Sequence, residues 1–252
     1  MMDTQLQPLK GKVALITGAA KRIGAEIARS LHSEGADVVI HYGHSAEAAV
    51  KLVSELNEIR PNSCHSYSVL LSDTNGLSEM IEQITILTGR LDILVNNASS
   101  FYPTSVGEIA ESDWNNLFDS NLKGPLFLSQ AATPYLNKSQ GCIVNMVDIH
   151  GERPLAKHPV YCSAKAGLVM LTKSLALELG PNVRVNGVAP GIIIWPEGDQ
   201  DPTLQGELLS RTALKRKGSV KDITDTVLFL VRDATYITGQ IISVDGGRTI
   251  NQ

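Results

Sequence analysis

A chain of 252 residues, 43% hydrophobic and 19% charged, can bury a sizeable core and is short enough to do so as one domain. Its formal net charge of -4 offers no basic footprint for a phosphate backbone, and Lys215, Arg216 and Lys217 form only a short run, so nucleic acid is excluded as a partner. Cys64, Cys142 and Cys162 lie far apart with no histidine at ligand spacing, which points to neither a disulfide framework nor a metal site and fits a reducing cytoplasm. The stretch Met1 to Pro8 lacks a basic region followed by an apolar one, and no apolar run approaches the roughly 18 residues of a membrane span. The expectation is a soluble cytoplasmic protein with no membrane partner.

Along the chain, short apolar runs alternate with longer amphipathic stretches. The first strand is expected at Val13 to Thr17, then a helix at Arg22 to Ser33, a strand at Val38 to Tyr42 and a helix at Ala46 to Ile59. Next come a strand at Ser66 to Leu71, a helix at Gly76 to Leu87, a strand at Ile93 to Val95 and one long helix from Asp113 to Leu136. A strand at Ile143 to Val147 precedes a helix from Tyr161 to Leu179, closed by the stop pair Gly180 and Pro181. The last elements are strands at Val183 to Val188 and Ile241 to Val244 around a helix at Lys221 to Leu230. Strands that are apolar without strict alternation are buried on both faces, so the rhythm predicts one Rossmann-type, doubly wound α/β domain: about seven parallel strands with helices on both faces. Residues Ile192 to Leu209, with Pro196, Gly198, Pro202 and Gly206, read as an irregular substrate loop covering about 192–210.

The first strand runs straight into Thr17-Gly18-Ala19-Ala20-Lys21-Arg22-Ile23-Gly24 and a helix. Small residues there let the backbone approach a pyrophosphate held at the helix N-terminus, where free N–H groups and the dipole favour an anion. The spacing departs from G-x-G-x-x-G, and Arg22 stands at a glycine-favoured position, where a guanidinium can grip phosphate oxygens. The end of the second strand, His41-Tyr42-Gly43-His44-Ser45, lacks the acid that would bind a free ribose 2′-hydroxyl and repel a 2′-phosphate. His41, His44 and Ser45, with Lys21 and Arg22, are donors suited to a 2′-phosphate, which favours NADPH; the plainer role for either histidine is to cap the strand end.

Tyr161 and Lys165, four apart at the start of a helix, share one face, and the ammonium is expected to lower the phenol's pKa from its ordinary value of about 10. Asp148 follows the fifth strand, at the sheet edge where open α/β folds gather ligands. A chance Tyr-x-x-x-Lys on an exposed helix is the bland alternative, and the Gly18 loop weighs against it.

These residues, in this order, resemble the short-chain dehydrogenase/reductase family over essentially the whole chain. The resemblance lies in the loop Thr17 to Gly24, in Asn96-Asn97-Ala98, in Asn121, in Tyr161 and Lys165 and in Pro190-Gly191. It implies that Lys165 holds the nicotinamide ribose, that Tyr161 donates the proton and that Asn121 holds a water relaying to Lys165. It also implies cofactor contacts from Gly18, Lys21, Arg22, Ile23 and Gly24, from His41, Tyr42, His44 and Ser45, from Asn97, Ala98 and Ser99, and from Pro190, Gly191 and Ile192. The family's usual catalytic serine is absent, with Asp148 in its place.

Arg22 and Asp148 together resemble the pteridine reductase subgroup, as does Asn97-Ala98-Ser99-Ser100-Phe101-Tyr102-Pro103. That resemblance implies that Ser99 contacts cofactor and pterin and that Phe101 stacks on the pterin ring, a contact worth about 0.5–1.5 kcal/mol beyond area burial; ordinary core is the alternative for Phe101. The substrate-binding set is then Arg22, Ser99, Phe101, Asp148, Tyr161 and Trp195, with Trp195 and Glu197 shaping the pocket or lying on the surface. His44 and Leu70 depart from the subgroup, where an arginine and an aspartate are expected. The implied reaction is hydride transfer to a C=N carbon of a pteridine, a dihydropterin or dihydrofolate in a homotetramer. The rivals are a 3-oxoacyl thioester or sugar reductase of the same family and a non-catalytic dinucleotide-sensing or scaffold protein.

Overall fold

The computed structural model describes residues 7–195 and 201–251. Seven parallel strands form one sheet in the order β3-β2-β1-β4-β5-β6-β7: β1 Val13–Ile16, β2 Asp37–Tyr42, β3 Cys64–Ser68, β4 Ile93–Asn96, β5 Cys142–Met146, β6 Arg184–Pro190 and β7 Ile241–Val244. Strand β1 pairs with both β2 and β4, so the chain order reverses there and a crevice opens beyond the strands' carboxyl ends. Both faces are covered. Helices α1 Arg22–Ser33, α2 Ala46–Ile59 and α8 Val220–Arg232 bury Ile27, Leu31, Leu52, Leu56, Val227 and Leu230 against one face. On the other, α3 Thr74–Thr88, α5 Gly124–Ser139 and α6 Pro159–Leu179 contribute Leu77, Ile81, Leu128, Leu136 and Ala176.

Most element ends fall within two residues of the sequence reading, and three segments differ by more. Strand β3 is Cys64–Ser68, paired residue for residue with Val38 to Tyr42, and the apolar Val69 and Leu71 lie beyond it, packed against the second core cluster. The long helix expected from Asp113 to Leu136 is two helices, α4 Glu111–Phe118 and α5, joined by a π-helical turn at Asp119–Lys123 that seats Asn121 at 0% exposure. Extra turns of this kind sit where a helix must aim a residue rather than merely cover a core. Within the segment expected to be irregular, Pro202–Ser210 is a helix, α7, with the Asp201 side chain accepting from Thr203 N–H. Pro196, Glu197 and Gly198 lie outside the described residues.

Helix α6 is, among the described residues, the one with the length and mean hydropathy to cross a bilayer. The sequence reading found no such run. Its buried positions, Val160, Tyr161, Ala164, Lys165, Leu168, Val169, Thr172 and Ala176, follow the three-to-four spacing of a helix laid on a sheet, and they include the two residues that matter most for the site.

Candidate active site

The phosphate loop is built by close backbone packing. Gly18 has φ +60°, and a Cβ there would lie 2.8 Å from the Ala98 Cα; one on Gly24 would lie 2.6 Å from the Gly18 carbonyl. Neither position accepts a larger residue without moving backbone. Asn97 laces the loop to β4, its Nδ2 donating to the Thr17 and Gly18 carbonyls at 2.8 and 3.2 Å, while Thr17 Oγ1 accepts from the Asn97 and Ala98 N–H groups. Arg22 takes φ +54°, so the glycine-like conformation persists although the residue is arginine, and its side chain is exposed. Lys21, at the N-cap of α1, carries no side-chain acceptor and makes no cap bond, so the first-turn N–H groups of α1 receive none from it. These features fit a dinucleotide's pyrophosphate.

At the end of β2, His44 is exposed, and Ser45 sits at the N-cap of α2 without making a cap bond. His41 is different. Its ring is buried and both nitrogens are engaged, Nδ1 with Gly18 N–H at 3.2 Å and Nε2 with the Val69 carbonyl at 2.9 Å, so the expected donation to a 2′-phosphate is not available to it. Tyr42 is half-buried beside it in the chain and packs against the first core cluster.

Beyond β5 the acid-base groups converge. The Tyr161 hydroxyl donates to Asp148 Oδ2 at 2.8 Å, while Asp148 Oδ1 accepts from His150 N–H, which fixes the carboxylate. Lys165 is buried, its Nζ donates to the Met146 carbonyl at 2.8 Å, and it lies 5.7 Å from the Tyr161 ring centroid. The expected lowering of the phenol's pKa does not occur. Burial and the adjacent Asp148 charge, to which the hydroxyl is hydrogen-bonded, push Tyr161 well above its ordinary value. Burial brings Lys165 down to about 8, against the opposing pull of Asp148.

Around this pair stand the residues of the 97–103 segment. Ser99 Oγ donates to Asn121 Oδ1 at 2.7 Å, and Asn121 Nδ2 donates to the Ser100 and Leu117 carbonyls. The Asn121 amide therefore braces the Ser99–Ser100 loop. Phe101 is 46% exposed and not core. Its ring stands edge-on to Tyr161 at 4.8 Å and is stacked on His158 at 4.7 Å with an interplanar angle of 9°. Sequence reasoning missed His158, although it lies one helical turn before Tyr161 at the N-cap of α6 and that spacing is the signal that exposes it.

Pro190 ends β6, and Gly191 passes so close to β7 that a Cβ would meet the Asp245 Cα at 2.7 Å. Ile192 lines a pocket of about 380 Å³ with Leu214, Arg216 and Asp245, set apart from the Tyr161 group. Trp195 is half-buried at the edge of the described residues. No group of three or more metal-ligating side chains occurs among the described residues.

A family model described as enoyl-(acyl carrier protein) reductase matches residues 18–249. Pteridine reductase 1 of Leishmania tarentolae is 38% identical over 95% of this chain and 97% of its own. The chain belongs to the short-chain dehydrogenase/reductase family. The 3-oxoacyl-acyl-carrier-protein reductase FabG of Thermotoga maritima is 37% identical over 96% of this chain and 99% of its own. Among solved structures, a blue fluorescent protein from a metagenomic library, in complex with NADPH, superposes with a TM-score of 0.90 at 33% identity, covering 96% of this chain and 99% of that one. As a member of the family, this short-chain dehydrogenase/reductase is an oxidoreductase that uses a nicotinamide dinucleotide.

Proposed function

We propose that this enzyme is an NADPH-dependent pterin reductase acting on pteridines, dihydropterins or dihydrofolate. The observation that carries the reading is the Asp148 carboxylate hydrogen-bonded to the Tyr161 hydroxyl beside an exposed Phe101 ring. Reduction of a ketone builds negative charge on oxygen, and a carboxylate beside the proton donor opposes that charge. Reduction of a C=N bond instead asks for a proton on nitrogen. An aminopyrimidine-type ring offers N–H donors to a carboxylate and a flat face to Phe101.

NADPH, when bound, supplies the hydride to the C=N carbon. For an oxidised pterin, Tyr161 gives its proton to the ring nitrogen, and its raised pKa keeps that proton in place until the nitrogen becomes basic. For a 7,8-dihydropterin, a water oriented by Asp148 protonates the opposite side. Lys165, cationic below about pH 8, lies 5.7 Å from the centre of the Tyr161 ring, where its charge favours the phenolate left behind. The preference for NADPH over NADH rests on the exposed Lys21, Arg22 and His44 and on the absence of an acid from 41 to 45.

The test is NADPH oxidation followed by its near-ultraviolet absorbance against oxidised pterins, dihydropterins, dihydrofolate, a 3-oxoacyl thioester and a simple ketone. Pterin turnover well above every carbonyl substrate is expected. Faster turnover of the thioester, unaffected by Phe101→Ala, would replace this reading with the 3-oxoacyl reductase one that the FabG similarity supports equally.

A further inference from the structure

His41 stands directly behind the phosphate loop, 2% exposed, and no step of the proposed chemistry uses it. Its protonation state follows from its partners. A peptide N–H only donates, so Nδ1, 3.2 Å from Gly18 N, must be the bare acceptor; Nε2 then carries the hydrogen and donates to the Val69 carbonyl. Its main chain adds a second tie, the His41 carbonyl accepting from Ala19 N–H at 3.0 Å. One residue thus fixes two successive peptide units of the loop. Gly18, already at φ +60° and hard against Ala98, has little room to find another acceptor.

We propose that His41 is the positioning residue of the dinucleotide site: its neutral, Nε2-protonated ring holds Gly18 in the geometry that aims the α1 N-terminus at the pyrophosphate, and a second proton on the ring releases the loop. Protonated Nδ1 would place one donor against another, leaving a buried N–H unsatisfied. Facing the ring are the Gly18 and Ala19 backbone, the Val69 carbonyl and, on β3, its register partner Tyr67. Burial holds the imidazole's pKa below the usual 6.5, opposed by the Val69 bond, and no charged side chain adds to the shift. The ring is therefore neutral at neutral pH and gains its proton only in acid. The inference rests on the family's dinucleotide site and not on the identity of the substrate.

NADH is the probe, because it lacks the 2′-phosphate whose own titration would mask the effect. Fluorescence titration of wild type, H41N and H41Q separates the two nitrogens: asparagine puts an oxygen where Nδ1 accepts, while glutamine reaches toward Val69 and gives Gly18 no acceptor. H41Q is expected to weaken NADH about tenfold near pH 7.5 and H41N to recover affinity to within about threefold of wild type. As pH is lowered below 6.5 into the range where the ring takes its second proton, wild-type affinity is expected to fall while that of H41N stays level. Amide exchange of the peptide containing Gly18 should speed up in H41Q and not in H41N. Equal binding by H41Q and wild type, or parallel pH profiles for wild type and H41N, overturns the proposal; if H41Q does not fold, the profile comparison decides alone. Substrate is absent throughout, so failure here leaves the pterin reading untouched, and the reverse also holds.

Discussion

The Tyr161 hydroxyl donates to Asp148 Oδ2 across 2.8 Å, tying the first turn of α6 to the residue that follows Val147 beyond β5. The bond places a proton donor and a carboxylate at one point. Tyr161→Phe is expected to lower kcat by about 10² or more without changing NADPH affinity, since general acid catalysis is typically worth about 10² to 10⁴. Asp148→Asn removes one of the charges that raise the phenol's pKa, so that pKa falls and an alkaline limb of kcat/KM moves toward neutral pH. Steady-state rates across pH check both variants; an unmoved limb in Asp148→Asn would mean the carboxylate does not act on the phenol.

Lys165 shows how the site trades stability for chemistry. Its folded-state pKa, about 8 against an ordinary 10.5, means the folded protein resists holding this proton, so between those values the unfolded chain binds more protons and stability rises with pH. Below about 8 the full cost of the buried cation is present. Lys165→Met is therefore expected to abolish turnover while raising stability by about 1–3 kcal/mol at neutral pH, an advantage that shrinks as pH rises toward 10. Denaturant melts at two pH values test this, and a less stable Lys165→Met at neutral pH would contradict it.

Arg22 makes a similar exchange through its backbone. At φ +54° a non-glycine residue carries strain of about 1 kcal/mol, so Arg22→Gly is expected to stabilise the fold by about 0.5–1 kcal/mol. The same change removes the exposed guanidinium at the α1 N-terminus and should weaken NADPH at least about tenfold. Thermal melts paired with cofactor titrations separate the two effects. Improved stability with unchanged affinity would remove Arg22 from the site.

Much of this architecture was legible because the physics that forms it is local. Helices α1 and α2 begin and end where their apolar periodicity and flanking residues place them, and the phosphate loop announces itself through Gly18 and Gly24. The missed helix α7 had local signals, Asp201 at its cap and Pro202 at its start, but the other errors share one cause: tertiary contacts decided what local pattern left open. Val69 to Leu71 look more strand-like than Cys64 to Ser68, yet pairing with β2 selects the latter. The π-helical turn at Asn121 has no periodicity signal, since it exists to seat one amide under Ser99 and Ser100. His41 reads as a phosphate donor in sequence, and only its burial behind Gly18 shows that both nitrogens are taken.

Phe101 is held by His158 on one side and meets the edge of Tyr161 on another, so its ring is a fixed surface and not a loose side chain. Phe101→Ala is expected to raise KM for a dihydropterin about three- to tenfold, with kcat and NADPH affinity nearly unchanged, because stacking serves ground and transition states alike. A kcat loss as large as that of Tyr161→Phe would show instead that Phe101 orients the phenol.

The outer faces of α4, α5 and α6 carry an unusual load of exposed apolar side chains. Trp114, stacked on Phe118 at 3.9 Å, is 48% exposed, and Met170 and Leu177 of α6 are 61% and 87% exposed; Leu126 and Phe127 project from α5. Isolated apolar residues on a surface need no explanation, but several on neighbouring helices leave apolar surface that water penalises and a second copy would cover. Burial recovers about 25 cal/mol per Å² of apolar surface. Self-association is expected, with light scattering giving a multiple of the 27.1 kDa chain mass, four if the assembly that the family resemblance implies forms. Phe127→Glu and Met170→Glu place charge in that patch without touching the buried stripes of α5 and α6, so each should lower the measured mass while circular dichroism stays native. Wild type that scatters as a monomer at micromolar concentration rules the assembly out, and variants that keep the full mass would move the interface to another face.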